Sequence, residues 1–240
     1  MEPVTAFFAI ILGGVLVGIC VHFIPASATG AMSAATGIAT GPSMLSAGAG
    51  MAGLLSASYS IDSGLSVVLA SGATASALMV ALTILSGNIA NAFGTGVPPA
   101  SGQTASGQSI TGKSTKDAIS GWDQKPYISP GTDGHGMPVQ TNFSGLIGAF
   151  IGGTGGALVL FAVYTLLVPI LRQDAAFTIS GFIAGGVFLI NCVLPAYTLV
   201  GKTEGMFDQK IRKTPKTLVS CFIVSSVIAM IIYIAAVVIQ

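Results

Sequence analysis

Asp133 and His135 stand two residues apart in Asp133-Gly134-His135-Gly136, the place where this chain sets a carboxylate nearest an imidazole. A general base must be held in fixed geometry toward the proton it removes, and the glycines on both sides of His135 describe a turn instead. His22, two residues after Cys20, has no acid or second histidine near it in sequence. It reads as a hydrogen-bonded histidine at the end of an apolar segment. Cys20, Cys192 and Cys221 are odd in number, show no Cys-x-x-Cys spacing and lie in apolar surroundings, so they read as buried small hydrophobes. No phosphate loop, zinc-ligand spacing or dinucleotide fingerprint occurs. No residue is assigned a catalytic role, and no metal site is assigned.

The chemistry left to these residue types is the handling of a cation by oxygens at membrane depth. Asp62 is the one acid between two apolar segments of the N-terminal half. It is expected to cap the following helix at the outer interface, with a place on an ion path as the sharper reading. Asn88 and Asn91, near the end of the third apolar segment, and Asn191, within the fifth, carry amides that need partners in lipid. Each is expected to join neighbouring helices, and each is also an ion-path candidate. Asp174, beside Arg172, reads as a solvated, loosely paired charge.

The elements that must position these residues follow from charge. Of the 9 basic and 8 acidic residues, only Glu2, Asp62, Arg172 and Asp174 lie outside the stretches 113–133 and 202–216. A bilayer core imposes such a distribution, because a charge at a helix centre costs about 2.5–3.5 kcal/mol on insertion scales and a spanning helix needs roughly 20 apolar residues. A composition of 52% hydrophobic and 7% charged residues excludes an ordinary water-soluble domain. A net charge of +1 provides no field to draw nucleic acid, and no nucleic-acid partner is expected.

The chain therefore reads as an all-α polytopic membrane protein, with about six transmembrane helices over 4–24, 42–58, 65–93, 143–168, 177–199 and 218–239. The second, poor in Leu and Ile, is expected to be buried in protein, and the span over 29–58 can cross or re-enter. Three parts follow: a first three-helix half (1–93), an aqueous loop (94–141) and a second three-helix half (142–240). The first run has no basic region before it and no cleavage-site pattern after it, and is expected to be a retained helix.

If all six segments cross, the loops after the first, third and fifth share one side, with Lys113, Lys116, Lys125, Lys202, Lys210, Arg212, Lys213 and Lys216. The other side carries Arg172. The positive-inside rule then places loops 94–141 and 201–216 in the cytoplasm and both termini outside. The two halves have opposite topology, a pattern of many translocators. Small residues recur at four-residue spacing, at Gly14 and Gly18, Gly37 and Gly41, Gly148 and Gly152, Gly152 and Gly156, and Gly181 and Gly185. In lipid such faces supply close helix packing.

The loop segment Tyr127-Ile128-Ser129-Pro130-Gly131-Thr132-Asp133-Gly134-His135-Gly136-Met137-Pro138 resembles the hallmark of the D-subunit family of tetrahydromethanopterin S-methyltransferase, the membrane methyltransferase of methanogenic archaea. The likeness extends to Val21-His22-Phe23-Ile24-Pro25, to Ala35-Thr36-Gly37-Ile38-Ala39-Thr40-Gly41, to Phe188-Leu189-Ile190-Asn191 and to Thr203-Glu204-Gly205-Met206-Phe207-Asp208. It covers nearly the whole chain. The segment 107–123 departs from the shorter loop of some members.

The resemblance implies a cell-membrane component of a complex that moves a methyl group from methyl-tetrahydromethanopterin, or methyl-tetrahydrosarcinapterin, through a corrinoid to coenzyme M while exporting Na+. It implies partners in the membrane C and E subunits and the corrinoid-bearing A subunit, beside membrane lipids. The cofactors belong to the complex, and none is assigned to this chain. Pro130, Asp133, His135 and Pro138 become candidates for docking a cytoplasmic subunit, because Gly and Pro there can hold a fixed loop shape. The alternatives are an autonomous secondary transporter of a small solute or ion, and a structural anchor with no ionic role.

Overall fold

A computed structural model describes residues 1–25, 42–93, 139–199, 203 and 205–239. Six long helices account for most of them: α1 (Pro3–Phe23), α2 (Pro42–Tyr59), α3 (Leu65–Phe93), α4 (Val139–Leu167), α5 (Gln173–Ala196) and α6 (Thr214–Ile239). Short 3-10 turns at Ile61–Ser63, Gly205–Phe207 and Gln209–Lys213 complete the described elements. The helical choice has a physical origin, since backbone polar groups in hydrocarbon must be satisfied within the segment. Proline opens or nearly opens three helices, at Pro3, Pro42 and Pro215, where its missing amide costs no helical bond.

Five of the six helices are long and apolar enough to cross a bilayer, namely all but α2. α2 is 18 residues rich in Gly, Ala and Ser. One face of it packs inward through Ala49, Leu54 and Ala57, whereas Met51, Leu55 and Tyr59 are exposed. The expectation that this segment is enclosed by protein therefore holds for one face only. Helices also extend past the expected apolar limits: α4 begins at Val139, α5 at Gln173 and α6 at Thr214. A helix keeps its hydrogen bonding into the interface, so its ends outrun the hydrophobic stretch that marks it in sequence.

α1 and α4 form the centre of the bundle and share its most extensive helix contact. They run antiparallel, with Gly148 against Cys20 and Gly155 against Gly13. α3 lies antiparallel on α4 through Gly72 against Ala157 and Ser76 against Gly153. α6 lies antiparallel on α1 through Gly14 against Ser225 and Gly18 against Cys221. α2 runs antiparallel to α3, tied by Ser76 Oγ donating to the Ala49 carbonyl at 2.8 Å and by a 2.7 Å bond between the hydroxyls of Ser56 and Ser71. Chain direction thus alternates along the series, and the two three-helix halves start at opposite ends of the bundle.

The basic end is closed by one hydroxyl. Ser144 Oγ, at the start of α4, donates to the Phe23 carbonyl at 2.5 Å and accepts from the Met206 amide at 2.7 Å. The first bond occupies a carbonyl in the last turn of α1, which has no intrahelical partner. Gly205, at φ +66°, brings the 205–207 turn against Ser144 and the Phe23 carbonyl, where a Cβ has no room.

Candidate functional site

Two places bring polar groups together from distant parts of the chain. The first is the seam between α1, α5 and α6. Its α1 face repeats every four residues as Gly14, Gly18 and His22, and its α6 face as Thr217, Cys221 and Ser225, matched in antiparallel register. The two glycines remove side-chain bulk, so α6 comes close enough for its polar groups to reach α5 as well.

Asn191 sits in the middle of this seam and is fully buried. Its amide nitrogen donates to the Val187 carbonyl at 2.9 Å, and its oxygen accepts from Ser225 Oγ at 3.3 Å. The Cys221 thiol points to the Asn191 carbonyl at 3.9 Å. Nearer the basic end, His22 Nε2 lies 2.7 Å from Thr217 Oγ1, which meets Thr198 Oγ1 at 3.2 Å. Lys213 Nζ donates to the Thr198 carbonyl at 2.9 Å. The three cysteines, far apart in sequence, are all free and buried. Among the described residues, no three His, Cys, Asp or Glu side chains converge as a metal-ligand set.

The second place is a cleft of about 520 Å³ at the opposite end of the bundle, lined in part by Tyr59, Asp62, Tyr164, Gln173, Asp174 and Phe177. Tyr164 donates its hydroxyl to Asp62 Oδ1 at 3.3 Å, joining the end of α4 to the turn before α3. The expected helix cap is replaced by this contact. Gly64 at φ +91° separates Asp62 from α3, and the Gly64 carbonyl accepts from the Val68 amide at 3.1 Å. Asp174 pairs with Arg172 at 3.2 Å, with both side chains largely in solvent. Two carboxylates, two phenols and an amide give this cleft cation-attracting chemistry in an exposed setting, where Coulomb interactions are weak.

The sequence candidates are therefore divided. Asp62 and Asn191 lie in separate places, Asp62 in the cleft at one end of the bundle and Asn191 buried inside it. Asn88 and Asn91 fall in the last turns of α3, and their side chains lie outside the described residues. Pro130, Asp133, His135 and Pro138 also lie outside them. Sequence reading passed over Tyr164, Thr198, Thr217 and Ser225. For two of these, Thr217 and Ser225, a signal was present: with Cys221 they form a polar stripe at helical spacing in an otherwise apolar helix.

Comparison with known proteins bears on the whole of this arrangement. The family model for the D subunit of tetrahydromethanopterin S-methyltransferase matches residues 3–225. The chain is 38% identical to the protein of that name from Methanopyrus kandleri, over 97% of this chain and 96% of the relative. It is 38% identical to the one from Methanothermobacter marburgensis, over 95% and 94%, and 36% identical to the one from Methanosarcina barkeri, over 94% and 92%.

Proposed function

Because the chain belongs to the D-subunit family of tetrahydromethanopterin S-methyltransferase, we propose that it builds part of the ion-translocating membrane sector of that complex. The chain is a subunit of the methyltransferase and an all-α polytopic membrane protein. In our reading the complex passes a methyl group from methyl-tetrahydromethanopterin, or its sarcinapterin counterpart, through a corrinoid to coenzyme M, and the exergonic transfer drives Na+ out of the cell. Methyl-transfer chemistry belongs to other subunits. This chain associates with the membrane C and E subunits and is reached from the cytoplasm by the corrinoid-bearing A subunit.

The observation that carries this reading is the family match across residues 3–225, which takes in four of the five apolar helices and the first half of α6. Support for a membrane-sector role comes from what the polar groups do. In the seam, Asn191, Ser225, Thr217 and Thr198 bond helix to helix, which is how a membrane protein holds an uncharged bundle together. The charge distribution supports the cell membrane with Lys210, Arg212, Lys213 and Lys216 on the cytoplasmic side and Glu2, Asp62 and Asp174 outside. The Asp62 cleft then opens outward, where Na+ leaves.

The test is recovery of tagged chain from native membranes in mild detergent, followed by mass spectrometry and a corrinoid absorbance spectrum. Co-purification of methyltransferase subunits with corrinoid is expected. Recovery of the folded chain alone would overturn the reading in favour of an autonomous transporter.

A further inference from the structure

α6 is 26 residues long and rises about 39 Å, more than the roughly 30 Å hydrocarbon core of a bilayer. The stretch 217–240 carries no charge, so the end that emerges among the lipid headgroups is its first turn, with Lys216. Val219, Ile223 and Val227 follow Lys216 at helical spacing, and all are exposed. The acyl-facing side of α6 therefore leads straight up to the Lys216 ammonium.

The charges at that level are unbalanced. Asp208 is the only acid in 205–216, against Lys210, Arg212, Lys213 and Lys216, and its carboxylate is already engaged. It accepts from the Lys210 amide at 2.9 Å and lies 4.0 Å from Lys210 Nζ. Lys213 turns toward the bundle, where its Nζ donates to the Thr198 carbonyl at 2.9 Å. Arg212 and Lys216 are exposed, with no hydrogen bond or ion pair among the described residues. The opposite end of the bundle differs, because Arg172 there meets Asp174 at 3.2 Å.

Apolar groups accompany these cations. The 205–207 turn packs against 209–213 and is pinned by the Met206 amide to Ser144 at 2.7 Å, yet Met206 and Phe207 stay 39% and 54% exposed. A fixed turn that presents a phenylalanine beside uncompensated cations matches a bilayer interface, anionic in its outer layer and apolar in its inner one.

We infer that 205–216 is a docking surface for the phosphate headgroup of an anionic membrane lipid. Arg212 and Lys216 hold the phosphate, and Met206 and Phe207 seat in the apolar layer beside it. A guanidinium gives phosphate two parallel hydrogen bonds, and the Lys216 ammonium adds a point charge. An acidic water-soluble protein would match the cations alone, because the exposed line through Val219 and Ile223 continues below them to hydrocarbon depth.

The inference does not depend on the assignment to a complex and is tested on the full-length chain in vesicles. Trp122 is the single tryptophan, so Trp122→Phe combined with Phe207→Trp places the one indole in this turn. The vesicles mix phosphatidylcholine with phosphatidylglycerol, and one or the other is brominated on its acyl chains to quench the indole. Phosphatidylglycerol is expected to quench about fivefold more strongly per molecule, the weight of one cation near an anionic surface. Arg212→Gln with Lys216→Gln should bring that ratio close to one, and Arg172→Gln should leave it unchanged. Equal quenching by the two lipids would overturn the proposal. Quenching by neither would place the turn in water, as a protein-binding surface requires, and a preference abolished by millimolar inorganic phosphate would make this a site for free anions; either result overturns the lipid assignment. If the Phe207→Trp chain does not fold, native mass spectrometry of the chain with its own Phe207, released from the same mixed vesicles, reads the preference as retained phosphatidylglycerol. Retention equal for the two lipids, or unmoved by the paired Arg212→Gln and Lys216→Gln change, would overturn the proposal in the same way.

Discussion

Gly13 and Gly155 face each other where α1 crosses α4, so closely that a Cβ on Gly13 would stand 2.5 Å from the Gly155 carbonyl oxygen and one on Gly155 would stand 2.6 Å from that of Gly13. The contact is reciprocal and lies at the centre of the bundle, so neither helix can yield without moving what packs on it. Gly155→Leu should therefore destabilise the chain by about 1–3 kcal/mol or more, the usual range for overpacking. Gly185→Ala is the control: the position is half-buried but its Cβ meets nothing within 4 Å, so the change is expected to stay within about 0.5 kcal/mol. Thermal unfolding in detergent compares the two, and equal losses would contradict the packing described.

Ser144 joins three elements through one hydroxyl, the end of α1, the start of α4 and the 205–207 turn. Ser144→Ala removes a donor and an acceptor together. Each bond is worth about 1 kcal/mol, more where a partner is left buried. The expected result is faster hydrogen exchange at the Met206 amide, with little change at the Asp62 end of the bundle. Unchanged protection at Met206 would show that the turn is held by other contacts.

Orientation is tested with thiols placed at the two ends. Cys20, Cys192 and Cys221 are buried and should not compete for an impermeant maleimide. Glu2→Cys is expected to react in intact cells, and Lys216→Cys only after permeabilisation. The reverse pattern would invert the topology and place the Asp62 cleft on the cytoplasmic side.

An ionic role for this chain, as opposed to a purely structural one, is tested at Asp62. Its side chain is exposed and makes one long bond with Tyr164, so Asp62→Asn should change stability by no more than about 0.5 kcal/mol. In everted vesicles holding the assembled complex, Na+ uptake per methyl group transferred is expected to fall. Methyl transfer measured in detergent should stay as before. Coupling identical to the parent would leave the chain as an anchor.

Asn191 needs a paired design, because Asn191→Ala removes the acceptor of Ser225 and leaves a buried hydroxyl, at about 1–3 kcal/mol. Ser225→Ala removes the donor instead and should cost less, since Asn191 keeps its 2.9 Å bond to the Val187 carbonyl. Unfolding of the two variants and the double mutant gives the coupling between them. A value near zero would mean that the 3.3 Å contact does not hold α5 to α6.

Most of the architecture was legible in the order of residues. Long stretches without Asp, Glu, Lys or Arg can be solvated only by lipid or protein, so the charge pattern by itself determined a polytopic helical protein and the number of helices to within one. α2 was the weak point, because a Gly, Ala and Ser segment has a hydropathy between that of a span and that of a packing element. The loop motif around His135 carried the family in the letters alone.

Which polar groups meet was decided only by tertiary structure. His22 and Thr217 are 195 residues apart, and nothing local to either names the other. Their pairing follows from the antiparallel register that Gly14 and Gly18 permit against α6, together with the depth at which the turn after α5 places Thr198. Asp62 shows the same limit: its acid and its neighbours announce a cap, yet Gly64 turns the chain away and Tyr164, from the other half, takes the carboxylate. Hydropathy acts along the chain and is visible in composition, whereas helix register depends on surfaces far apart in sequence and exists only once the bundle has closed.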